Sequence, residues 1–105
     1  MLELHRTAAF ATWIDGLKDA VGRARILARI DRLAHGHEGD AAPVGGGVHE
    51  LRVHVGPGYR VYYARRGERV VLLLAGGDKG TQRRDIAAAI RAAEQWRKEW
   101  QEDSK

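Results

Sequence analysis

The chain predicts an α+β domain in the order β-α-α-β-β-β-α, with a twisted antiparallel sheet packed by helices. Three observations predict it. Strand-like stretches cluster between residues 48 and 75 instead of alternating one-for-one with helices. Two apolar stretches near the start repeat every three to four residues, as does a third at the end. Glycine-bearing turns, G-P-G at 56–58 and R-R-G-E-R at 65–69, separate the strands.

Leu2–Arg6 alternates and predicts a short first strand. Thr7 is placed to cap a helix carrying Phe10, Trp13, Ile14 and Leu17 on one face. Gly22 is expected to break the chain before a second helix. That helix has Ile26, Leu27, Ile30, Leu33 and Ala34 inward and Arg23, Arg25, Arg29 and Arg32 solvated. Residues 35–47 read as the main loop. Its Gly45-Gly46-Gly47 run has no following G-K-[ST] and no helix directly after it, so it reads as a flexible connection and not as a phosphate cradle.

Glu50–Val55 and Tyr59–Tyr63 form a hairpin candidate around Gly56-Pro57-Gly58. Side chains alternate across a strand, so Leu51, Val53, Val55, Tyr59, Val61 and Tyr63 form one set. With that set in the core, Arg52, His54, Arg60 and Tyr62 would share a solvent-facing cationic surface. Val70–Ala75 is apolar throughout, as expected of a strand buried on both faces near the sheet centre, with Gly76 and Gly77 ending it. From Thr81 to about Trp100 a last helix places Ile86, Ile90, Ala93, Trp96 and Trp100 on one stripe, and Gln101–Lys105 should fray.

Composition narrows the function. With 105 residues, 44% hydrophobic and 30% charged, the chain suits one globular domain spanning 1–105. A formal charge of +4 favours an anionic partner or simple solubility. The absence of cysteine excludes disulfides and thiol nucleophiles. The start lacks a signal-peptide core, and Val70–Ala75 is too short to cross a bilayer, so a cytoplasmic location is expected. The only serine, Ser104, lies in the tail, which removes Ser–His chemistry. His35, His37, Glu38 and Asp40 form a weak metal-ligand grouping in a loop, and a solvated loop is the simpler reading.

Charge-driven phosphodiester chemistry survives this elimination. An RNA 2′-hydroxyl attacks its own phosphorus. The protein then needs to hold the strand, stabilise extra negative charge and move protons. Arg52, His54, Arg60 and Lys79 supply the residue types, with Tyr62 as a stacking platform and Asp85 either an acid or base or a complement to the first turns of the last helix. No metal or other cofactor is required.

Five segments carry a family resemblance: F-A-T-W-I-D-G-L-K-D, R-A-R-I-L-A-R-I-D-R-L, G-D-A-A-P-V-G-G-G-V-H-E-L-R, G-P-G-Y-R-V-Y-Y and L-L-L-A-G-G-D-K-G-T-Q-R-R-D-I-A-A-A. Through them, over Phe10–Trp96, the chain resembles the RelE/ParE toxin superfamily, in its phage-Gp49-like, HigB-type branch of addiction module killer proteins. The resemblance implies the toxin of a type II toxin–antitoxin module, in the first reading a ribosome-dependent, metal-independent mRNA endoribonuclease. It implies a helix-turn-helix antitoxin of the HigA type, with operator DNA reached only through that complex. Carried over by position, Arg60 of G-Y-R matches the phosphate-contacting arginine, Arg52 and His54 lie on the adjacent strand, and Lys79 matches the basic position after the last strand. No tyrosine follows Lys79, which leaves Gln82 or Asp85 as substitutes and the general acid and base unassigned. The alternatives are a ParE-like toxin that inhibits DNA gyrase without cleaving RNA and an inactive nucleic-acid-binding relative.

Overall fold

A computed structural model describes residues 1–103. Nine elements follow one another: β1 (Glu3–Arg6), α1 (Ala8–Gly16), α2 (Ala20–Ala34), β2 (Ala41–Gly45), β3 (Val48–Val53), β4 (Tyr59–Arg66), β5 (Val70–Asp78), a 3-10 turn (Lys79–Thr81) and α3 (Gln82–Asp103). The sheet runs β1-β5-β4-β3-β2. All neighbours are antiparallel except β1 and β5, which pair in parallel through Glu3↔Val70 to Arg6↔Leu73. The expected α+β class is therefore found, with one parallel pair added at the edge.

Both faces of the sheet are covered. On one, α1 and α2 contribute Phe10, Ile14, Ile26, Ile30 and Leu33 to a core with Leu51, Val61, Tyr63 and Leu73. On the other, Ala89 and Ala93 of α3 pack with Val48, Tyr62, Ala64, Leu72 and Leu74. Tyr62 and Glu50 therefore lie buried on the α3 side and Arg60 is mostly covered, which corrects the expected fully solvent-facing surface, while Arg52 is partly and His54 largely exposed. Alternation alone does not distinguish an open sheet face from one whose helical cover follows later in the chain.

Local chemistry sets the element ends. Thr7 caps α1 as expected, accepting from Phe10 N–H at 3.1 Å while its hydroxyl donates to the Leu74 carbonyl at 2.8 Å. The break before α2 falls earlier than Gly22. Asp19 is the cap, accepting from Gly22 N–H at 3.0 Å, and Gly22 is buried in the first turn. A side chain at Gly22 would lie 2.5 Å from the Tyr59 ring, so close helix–sheet approach explains this glycine.

The loop expected at 35–47 contains the edge strand β2, and Gly45, Gly46 and Gly47 form its turn into β3 with φ of 107°, 60° and 76°. Pro43 suits that edge position because no further strand needs its missing N–H. Arg97 of α3 fastens the turn by donating to the Gly46 carbonyl at 2.6 Å. Gly76 and Gly77 do not end β5, which continues to Asp78. They let both helical layers approach, since added methyl groups would overlap Trp13 on one side and Asp85 on the other. α3 continues to Asp103, past the point where fraying was expected, and 104–105 lie outside the described residues.

Candidate functional site

The β3–β4 hairpin tip and the start of the 3-10 turn enclose an open cleft of about 490 Å³. It is lined by His54, Val55, the 56–58 turn, Arg60 and Lys79. Three of the residues expected to act on phosphate thus converge, although they come from three places in the chain. His54 follows β3, Arg60 is on β4 and Lys79 opens the turn after β5. Gly58 allows the approach: its φ of 80° turns the hairpin, and the position of its missing side chain lies 3.5 Å from Lys79 Cβ.

A buried carboxylate sits behind this cleft. Glu50 is 1% exposed, and its Oε1 accepts from Arg52 Nε at 3.0 Å and from the Arg60 guanidinium at 3.3 Å. Its Oε2 accepts from Gln82 Nε2 at 2.8 Å. A buried charge is stable only when paired and hydrogen-bonded, and Glu50 has two cations and an amide. Arg60 is the inward member of this group, with a side chain 13% exposed and its Nε buried without a partner. Glu50 is not among the residues expected in the site; an acid two residues before Arg52 on one strand, with Arg60 on the next, is the signal that carries it.

Asp40 forms the second anionic anchor. It pairs with Arg52 at 3.2 Å and makes a short contact with His54 Nε2. The His54 hydrogen bond, reinforced by the Arg52 charge, holds the Asp40 carboxyl below its ordinary range despite some desolvation. Arg52 is thereby tied to Glu50 and Asp40 and does not line the cleft. Its guanidinium pKa is raised, first by the hydrogen bond to Glu50. His54 stays exposed on the cleft side, at 74% for its side chain. Lys79 is exposed and makes no ion pair among the described residues.

Besides Arg52, three expected site residues fall outside the cleft. Tyr62 is fully buried under α3, so it presents no ring face for a base. Burial, with the Glu50 charge second, drives its phenol pKa far up. Asp85 is 7% exposed and faces Gly77, its Oδ2 accepting from Thr81 Oγ1 at 2.5 Å. It fastens the start of α3 and does not reach the cleft as an acid or base. Gln82 binds Glu50. The loop residues considered for metal binding also separate: His35 pairs with Asp31, Glu38 with Arg65 and Asp40 with His54. Among the described residues no group of three histidines or acids is placed to hold a metal ion.

The family model for phage-derived protein Gp49-like (DUF891) matches residues 12–98, which include the whole hairpin, the cleft and most of α3. The chain belongs to this family. The Gp49-like family is the HigB-type addiction module killer family, associated with toxins of toxin–antitoxin modules, and membership implies an antitoxin partner. An uncharacterized protein from Haemophilus influenzae (strain KW20 / Rd) is 43% identical over 88 residues, covering 84% of this chain and 89% of that protein. Among the described residues of this Gp49-like chain, no helix is long and apolar enough to cross a membrane.

Proposed function

We propose that this Gp49-like chain is a type II toxin that cleaves mRNA on the ribosome without a metal ion, acting at the cleft of His54, Arg60 and Lys79. The observation that supports it best is that these three cationic or titratable side chains line one opening. The substrate 2′-hydroxyl is the nucleophile. Asp40 orients His54 through Nε2, leaving the other ring nitrogen to move a proton. Lys79 and the outer donors of Arg60 face the phosphate oxygens, where charge grows in the transition state. Glu50 fixes the Arg60 fork before substrate arrives.

One observation favours a second reading, a ParE-like toxin that binds DNA gyrase and cleaves nothing. Arg52 and Arg60 are already engaged by Glu50, which reduces the free charge available to a phosphate.

Transcript-end mapping after induction separates the two. Sharp new mRNA 5′ ends are expected, and Lys79→Ala and His54→Ala proteins should lose them by about 10²–10³ in rate, comparable to loss of a transition-state donor. Both side chains are exposed, so the variants should keep the wild-type melting temperature. Arg60→Ala is the poorer probe, because it strands buried Glu50. Intact mRNA with DNA double-strand breaks would overturn the nuclease reading.

A further inference from the structure

A second groove of about 370 Å³ lies between α2 and the end of β3, lined by Arg25, Ala28, Arg29, Arg32, Val53, His54 and Val55. His54 and Val55 also line the first cleft, so the two openings adjoin at those residues. Among the described residues, no acidic side chain lines either part.

The arginines of α2 divide by what they already bind. Arg29 is structural, its guanidinium donating to the Arg52 carbonyl at 2.5 Å and the Glu38 carbonyl at 3.0 Å. Arg23 pairs with Asp15 on the approach from α1. Arg25 and Arg32 are exposed, and neither side chain has an ion pair or hydrogen bond among the described residues. Seven residues of helix separate them by roughly 10 Å of rise, on the same side of α2 as Arg29. Uncommitted cations thus lie on both sides of the shared residues, Lys79 in the first cleft and Arg25 with Arg32 in the second groove.

We infer that the α2–β3 groove is a second phosphate-binding subsite, in which Arg25 and Arg32 hold the backbone of a single-stranded RNA beyond the linkage seated at His54 and Lys79. The inference rests on the ribonuclease reading and adds to it a substrate that spans several nucleotides. A single strand fits better than an acidic protein segment. The groove is lined by arginines and short aliphatic side chains and offers no large apolar socket for a protein anchor. Phosphate contacts of this kind set position and affinity without reading bases.

The test uses the full chain and fluorescent RNA made uncleavable by 2′-O-methylation, as a trimer and as a dodecamer, with binding followed by anisotropy across a salt series. For R25Q/R32Q the dodecamer should bind more weakly. Its slope of log affinity against log salt should fall by about 1.4, since each phosphate that the protein neutralises on a single strand contributes about 0.7. The trimer should bind R25Q/R32Q as it binds wild type. For Lys79→Ala both lengths should weaken. Unchanged dodecamer affinity and slope in R25Q/R32Q, with Lys79→Ala still impaired, would overturn the subsite and leave the ribonuclease reading standing. Failure of wild type to bind either RNA would overturn the subsite, while the ribonuclease reading stands or falls on transcript-end mapping. R25Q/R32Q weakening only the antitoxin complex would also overturn the subsite, making the groove a protein contact.

Discussion

Replacing Glu50 by alanine tests the buried network on which the cleft is built. Glu50 is 1% exposed and neutralises Arg60, whose side chain is 13% exposed, so Glu50→Ala leaves a guanidinium in the interior with no counter-charge. Breaking a buried pair by removing one partner costs about 3–5 kcal/mol, far more than a surface pair. Arg52 adds little, because it is partly solvated and keeps Asp40. Gln82 loses an acceptor in the same step. In a domain of this size such a loss lowers the melting temperature by at least about 12 °C. Glu50→Gln keeps the volume and one acceptor oxygen, and should fall between Glu50→Ala and wild type. Thermal unfolding at neutral pH, with Glu50→Ala, Arg60→Ala and the double variant closing a cycle, measures the coupling. A Glu50→Ala protein within about 1 kcal/mol of wild type would refute the reasoning. It would mean that Arg60 swings out to solvent at little cost.

Two further predictions concern packing and titration. Gly76→Ala should destabilise the protein by about 1–3 kcal/mol, because its methyl group overlaps the Trp13 ring, and a smaller side chain at position 13 should restore part of the loss; denaturant melts check both. All three tyrosines hold raised pKa values in the folded state: Tyr59 first through its hydrogen bond to Asp19, Tyr62 and Tyr63 first through burial, with Tyr63 pushed to about 12. Their protonated forms are favoured by folding, so this stabilisation is complete below the ordinary value of 10 and is lost as pH rises above it. An absorbance titration should show little tyrosinate near pH 10 and a steep rise coinciding with alkaline unfolding; gradual independent ionisation near 10 would contradict the burial.

The elements were largely legible because each carries a local signal. Thr7 caps where a hydroxyl precedes a helical pattern, and Val70–Ala75 is apolar on both faces because both are covered. β2 escaped because Ala41–Gly45 has small residues and a proline, with little strand character of its own; its pairing with β3 and the Arg97 contact hold it. The cleft was legible in part. His54, Arg60 and Lys79 meet, yet Tyr62 lies under α3 and Asp85, in the first turn of that helix, turns toward Gly77. A strand reading Glu-Leu-Arg-Val looks half-solvated, and only the later helix shows that its polar row is an internal ion network. Asp40 went unrecognised as a partner of His54 because fourteen residues of turn and strand separate them, and spacing encodes no such contact.

The parallel pairing of β1 with β5 brings residue 3 beside residue 70, and the Thr7 hydroxyl bonds to Leu74 across the same seam. A nascent chain therefore carries β1 unmatched until residues 70–73 have left the ribosome. Lys79 and Gln82 emerge later still. A nascent chain that stops short of residue 70 can close the β3–β4 hairpin, but it has neither the seam nor the lysine, so the cleft is assembled only after β5 and the turn that follows it have been made.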